Sequence, residues 1–126
     1  MITGIGIDMI EVERIAEKIA KENGFRELIF SEKEIIYCET KTNKFEHYAA
    51  RFAAKEAFYK ALGEGWMNGT AFNEIEVIND TKGKPGLVLT GNTRETLASA
   101  GIRTIFLSLS HLKSMASAVV IIENGL

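Results

Sequence analysis

The segment Arg51-Phe52-Ala53-Ala54-Lys55-Glu56-Ala57-Phe58-Tyr59-Lys60-Ala61-Leu62-Gly63 sets the fold. At about 100° per residue, Ala50, Ala53, Ala54, Ala57, Phe58 and Ala61 gather on one arc, which predicts a helix pressed closely against other elements. The opposite arc carries Arg51, Lys55 and Tyr59 on one shoulder and Glu56 and Lys60 on the other. Glu56 then sits near the buried edge, where a carboxylate is costly to desolvate unless a cation or a donor meets it. It is either one half of an i,i+4 ion pair with Lys60 or a group that binds something. The helix is expected to begin near Phe45 and to end at Gly63, where glycine can form a left-handed cap.

On the N-terminal side, Thr3, Ile5, Ile7 and Met9 alternate with Gly4, Gly6 and Asp8, which predicts a strand with Asp8 on the glycine face. Small glycines there leave room beside the carboxylate for a ligand or another chain. Alternatively, Asp8 and Glu11 match the spacing of a capping box, and Asp8 caps the helix that follows. The third glycine of a dinucleotide fingerprint is missing, so no Rossmann site is expected. Val12, Ile15, Ala16, Ile19 and Ala20 recur at helical spacing as far as Asn23-Gly24, and Ser31 with Glu34 forms a capping box for a short helix towards Thr40.

Beyond the long helix, Ile75, Val77 and Ile78 mark a strand that ends at Asn79-Asp80. The turn Lys82-Gly83-Lys84-Pro85-Gly86 leads into a strand from Leu87 to Thr90, predicting a hairpin. Asn92 is placed to cap a short helix closed by Gly101, and two strands follow, one carrying Ile105, Leu107 and Leu109 and one from Ala116 to Ile122. Short turns favour antiparallel pairing, so the expected class is α+β: an antiparallel sheet packed against a long central helix and shorter helices.

With 46% hydrophobic and 25% charged residues, the 126-residue chain reads as one globular domain, 1–126. A formal net charge of −2 disfavours a dedicated nucleic-acid binder. The single Cys38 leaves no internal disulfide and no zinc cluster, which suits a reducing cytoplasm. No apolar run reaches membrane-spanning length and no leader is evident, so a cytoplasmic protein without a membrane partner is expected.

Asp8 and Glu56, from separate elements, would make a sparse oxygen site suited to Mg²⁺, which keeps waters and takes further ligands from substrate phosphates. Lysine beside Glu56 suits the same phosphates. At this point Gly4-Ile5-Gly6-Ile7-Asp8-Met9-Ile10-Glu11-Val12-Glu13-Arg14-Ile15 and Phe52-Ala53-Ala54-Lys55-Glu56-Ala57-Phe58-Tyr59-Lys60-Ala61-Leu62-Gly63 resemble the two signatures of the holo-acyl-carrier-protein synthases, the small class of 4′-phosphopantetheinyl transferases. Phe30-Ser31-x-x-Glu34, Asn79-Asp80-x-x-Gly83-x-Pro85 and Ser108-Leu109-Ser110-His111 extend the likeness along nearly the whole chain.

The resemblance implies transfer of the phosphopantetheine arm of coenzyme A to a serine of apo acyl carrier protein, with release of adenosine 3′,5′-bisphosphate. It implies Mg²⁺ held by Asp8 and Glu56, Lys60 against the phosphates, and a homotrimer with active sites between subunits. Arg51, Gly63, Ser110 and His111 are the further coenzyme A contacts it suggests, although Leu112 and Met115 depart from the family's usual run after Ser-His. His47 is read as a bystander. Arg14, Lys18 and Lys21 align along the first helix, and the family uses this helix to dock the acidic carrier protein; the competing reading is a mixed-charge solvated face diluted by Glu13, Glu17 and Glu22. The alternative function is a non-catalytic oligomeric module that binds coenzyme A or a nucleotide.

Overall fold

A computed structural model describes residues 1–125. Strand β1 (Ile2–Glu11) runs into helix α1 (Val12–Ala20), followed by α2 (Phe25–Ile29), α3 (Glu32–Glu39) and the long α4 (Lys44–Leu62). A single 3-10 turn, Phe72–Glu74, leads to β2 (Ile75–Asn79) and β3 (Pro85–Leu89). Helix α5 (Gly91–Thr96) and a second 3-10 turn, Ala98–Ala100, precede β4 (Ile102–His111) and β5 (Met115–Asn124). The expected α+β class holds: β1, β5 and β4 form an antiparallel sheet in that order, β2 and β3 form a separate hairpin, and α4 lies across the sheet. Among the described residues, no helix is long and apolar enough to cross a membrane.

The glycine face of β1 has a different use from the one its sequence suggests. A Cβ at Gly6 would stand 1.9 Å from the Ala57 carbonyl oxygen, and one at Gly4 the same distance from that of Ala61. The space beside Asp8 is therefore filled by the backbone of α4. Asp8 is not a cap either, because β1 continues to Glu11, and Glu11 occupies the N-cap position without a side-chain bond. Glycine on the strand and alanine on the helix together allow the close approach that carries the α4 side chains to Asp8. Gly6→Ala is expected to push α4 off β1, costing about 1–3 kcal/mol as an overpacking change. Chemical denaturation measures that cost, and a wild-type midpoint would refute the packing argument.

Burial on α4 departs from a simple two-faced wheel. From Tyr48 to Ala61 every residue is buried except Phe52, Glu56 and Lys60, an i, i+4, i+8 stripe. Arg51, Lys55 and Tyr59, read from sequence as an outer shoulder, lie inside, because α3, the 3-10 turn and β2 cover that side. The Ser31–Glu34 capping box forms as expected. The Glu34 carboxylate does more: it accepts from Ser31 N and Val77 N and meets the Lys55 ammonium at 2.8 Å. Lys55 gives its remaining hydrogens to the carbonyls of Phe72 and Ile75, so both charges are satisfied in full burial.

Two short helices differ from expectation. Helix α2 follows Gly24, whose φ of 90° starts it, in a stretch too short for periodicity to reveal. Asn92 does not cap α5; the Glu74 carboxylate does so from outside, accepting from the backbone of Asn92 and Thr93 and from the Thr93 hydroxyl. The N-terminal position belongs to Thr90.

Candidate active site

Strand β1 carries Asp8 inward towards α4, and the exposed stripe of α4 carries Glu56 and Lys60 towards Asp8. Lys60 is not paired with Glu56. Its ammonium donates to the Asp8 carboxylate and to the Ile7 carbonyl, each at 3.0 Å, so the i,i+4 pair read as one alternative from sequence is replaced by a tertiary contact. Asp8 is mostly buried by this contact, while Lys60 keeps half its side chain in solvent.

The Glu56 carboxyl is pushed above the usual carboxylate range, first by burial and then by the negative charge of Asp8, with the cations Lys60 and Lys18 opposing. Asp8 is paired with Lys60, whereas the Glu56 carboxylate has no ion-pair or hydrogen-bond partner among the described residues. Among the described residues no cluster of three or more potential metal ligands occurs, so an ion between Asp8 and Glu56 would draw its other ligands from water or substrate. A cleft of about 610 Å³ opens beside Glu56 and Lys60, lined also by Tyr59, Gly63, Glu64 and Met67. Gly63 shapes its wall: it ends α4 with φ 85°, in the positive region that a side chain rarely adopts. Its ψ of −168° places it outside the left-handed helical cap expected there.

The other expected contacts lie elsewhere and are not all on one side of the sheet. Arg51 is not at the surface: its Nη2 donates to Asn79 Oδ1 at 2.9 Å, its guanidinium lies over the Tyr37 ring at 4.2 Å, and its Nε is buried without a partner. His111 ends β4 on the α4 side, with Nδ1 2.9 Å from Glu46 Oε1. Ser110, one residue earlier, faces the opposite side of the sheet, in register with Ser117 and Met9. No hydrogen bond joins Arg51, Ser110 or His111 to Asp8, Glu56 or Lys60 among the described residues. One chain therefore presents a carboxylate stripe and a separate basic edge.

Arg14, Lys18 and Lys21 are exposed along α1 and form no ion pair among the described residues, in keeping with a free basic stripe. Lys18 also lies 5.5 Å over the Phe25 ring. The outer face of the sheet is apolar and open to solvent, with Ile5, Ile7, Met9 and Phe106 each about half exposed or more. Strand alternation could have revealed that face, since these residues share it in the observed register. The Glu34–Lys55 junction carried no such signal.

Residues 4–116 match the 4′-phosphopantetheinyl transferase superfamily. Proteins named holo-acyl-carrier-protein synthase are similar along nearly their whole length. That of Geotalea daltonii is 42% identical, with 98% of this chain and 99% of the relative covered. That of Cytophaga hutchinsonii is 46% identical, with 99% and 100% covered. The fold agrees with the crystal structure of the Neisseria meningitidis holo-acyl-carrier-protein synthase at a TM-score of 0.89 and 32% identity, covering 98% of this chain and 100% of that one. It agrees with the Bacillus anthracis enzyme in complex with CoA (3′,5′-ADP) at a TM-score of 0.81 and 38% identity, covering 99% of each chain.

Proposed function

Because the chain belongs to the 4′-phosphopantetheinyl transferase superfamily, among its holo-acyl-carrier-protein synthases, we propose that it moves the 4′-phosphopantetheine group of coenzyme A onto a serine of apo acyl carrier protein. The serine oxygen forms a bond to the phosphorus that bears the pantetheine and gives up its proton to solvent, the bond from that phosphorus to the bridging oxygen breaks with its electron pair going to that oxygen, and adenosine 3′,5′-bisphosphate leaves. The observation that carries the residue assignment is the meeting of Asp8, Glu56 and Lys60 beside the open cleft.

Asp8 and Glu56 would hold Mg²⁺, which supplies charge neutralisation at the transferring phosphoryl group. The donor set fits, since the Glu56 carboxylate feels the charge of Asp8 and has no cation partner of its own, while the one cation on Asp8, Lys60, is half exposed. Lys60 releases its bond to Asp8 and turns its ammonium to the pyrophosphate; its exposure leaves it free to do so. Gly63 lets the backbone wall of the cleft pass close to the arm of coenzyme A.

Arg51, Ser110 and His111 would hold other phosphate or nucleotide groups of coenzyme A. They make no hydrogen bond to Asp8, Glu56 or Lys60 among the described residues, which favours a homotrimer in which the basic edge of one subunit completes the stripe of the next. The exposed apolar sheet face around Ile5, Ile7 and Met9 is the surface such an assembly would bury. The stripe Arg14, Lys18 and Lys21 would meet the acidic carrier protein, setting encounter rate and register. A cytoplasmic setting agrees with the buried thiol of Cys38, which burial pushes up to about 12 and so keeps protonated.

Incubation with apo acyl carrier protein, coenzyme A and Mg²⁺ is expected to add one phosphopantetheine mass to the carrier, read by intact-protein mass spectrometry. Coenzyme A binding without any mass gain would favour the non-catalytic binding module instead.

A further inference from the structure

His47 lies on the first turns of α4 at the basic edge, and sequence alone gives it no task. Its ring centroid is 5.4 Å from that of His111 and 5.7 Å from that of Tyr37. Tyr37 also carries two cations on its ring, the Arg51 guanidinium at 4.2 Å and the Lys41 ammonium at 4.7 Å. Three basic side chains, Lys41 from the α3–α4 loop and His47 and Arg51 from α4, thus lie against one aromatic ring, and His111 of β4 adjoins it through His47. The carboxylate that faces them, Glu46, is engaged with His111 Nδ1 at 2.9 Å. That bond assigns the Nδ1 proton when Glu46 is ionised and leaves His111 Nε2 without a protein partner. His47 makes no side-chain hydrogen bond among the described residues, and Arg51 Nε is buried and unpartnered.

Unspent donors, crowded cations and a single engaged carboxylate fit a dianionic phosphate better than any neutral group. We propose that His47 is a further recognition residue for the phosphate end of coenzyme A, acting beside His111, Arg51 and Lys41 at the edge built on Tyr37. The proposal rests on the reading that this edge holds coenzyme A phosphates.

A consequence separates recognition from mere packing. In the free protein His47 is held below the ordinary histidine value, first by burial and then by the cations Arg51, His111 and Lys41, with only Glu46 opposing. Its neutral form is therefore favoured more than that of an ordinary imidazole. A bound phosphate offsets the surrounding positive charge and stabilises the imidazolium, so His47 takes up a proton from solvent on binding. Between its free and bound values, affinity should strengthen as pH falls.

The test is calorimetric titration of coenzyme A into the full chain with Mg²⁺ at about pH 6, in two buffers of different ionisation heat, repeated near pH 8. The phosphate's own ionisation is common to both proteins, so at the lower pH the wild type should take up more protons and bind more tightly than a variant that lacks the His47 proton site. His47→Phe keeps a ring against Tyr37 but removes the proton site. It should lose that share of proton uptake and several-fold in affinity near pH 6, with a much smaller loss near pH 8. Wild-type uptake and affinity in His47→Phe would overturn the proposal. His111→Gln serves as the control: weakened binding there with an unaffected His47→Phe rejects His47 alone. Unaffected binding in both variants rejects the phosphate reading of the whole edge.

Discussion

Glu56→Gln and Asp8→Asn are each expected to lower turnover by about 10²–10³-fold, the scale set by removing one preorganised charge contact to a reacting group. Both substitutions preserve shape and keep an oxygen acceptor, so the loss isolates charge. Neither should weaken the fold. Glu56 is the clearer case, since burial and Asp8 raise its carboxyl above the usual range. The folded protein then binds more protons than the unfolded chain in the window above the ordinary carboxylate value, and stability falls as pH rises through it. Glu56→Gln removes that penalty, so its thermal midpoint near neutral pH should equal or exceed the wild type's. Near-normal transfer by either variant would refute the metal-ligand assignment.

Lys55→Met is expected to be the most damaging single change to the fold, at about 3–5 kcal/mol. Removing the ammonium leaves the Glu34 carboxylate in full burial and strips the Phe72 and Ile75 carbonyls of a donor. For a chain of this length that corresponds to a fall in thermal midpoint on the order of 10 °C or more. Replacing both charges at once should not rescue it, because the backbone N–H groups of Ser31 and Val77 lose their acceptor as well. The pair is a junction among α3, α4, the 3-10 turn and β2, and those same contacts seat Asn79 against Arg51. Differential scanning calorimetry of Lys55→Met distinguishes this from a dispensable ion pair, for which the midpoint would barely move.

The contrast between Lys55 and Glu56 explains what sequence can and cannot disclose. Alanine spacing reveals a closely packed helix, and the Ser31–Glu34 box is visible because both halves lie within one turn. The antiparallel hairpin is equally local, fixed by its turn residues. Burial of the second side of α4 is not local: a helical wheel records one apolar arc, whereas here a second layer covers Arg51, Lys55 and Tyr59. Polar residues conceal that layer, since the burial of Lys55 depends on partners in α3 and β2, Glu34 at 21 positions and Ile75 at 20.

The same limit applies at the site. Glu56 and Lys60 are neighbours on the helix, so a bond between them is the natural expectation, yet Lys60 reaches to Asp8, fifty-two positions away. Family signatures bring Asp8 and Glu56 into one group without saying how they meet. The physical reason is steric: glycine at 4 and 6 lets α4 lie against β1, and any side chain there would strike its carbonyls. His47 falls between these cases, as its partners Tyr37 and His111 come from two other elements.

The role proposed for Asp8 and Glu56 is to hold one divalent ion jointly at the transferring phosphate. Equilibrium dialysis against Mn²⁺, a spectroscopically visible substitute for Mg²⁺, in the presence of coenzyme A measures this without relying on turnover. The wild type is expected to retain one ion per chain, and both Glu56→Gln and Asp8→Asn to lose it while still folded. Undiminished Mn²⁺ binding in both variants would contradict the assignment.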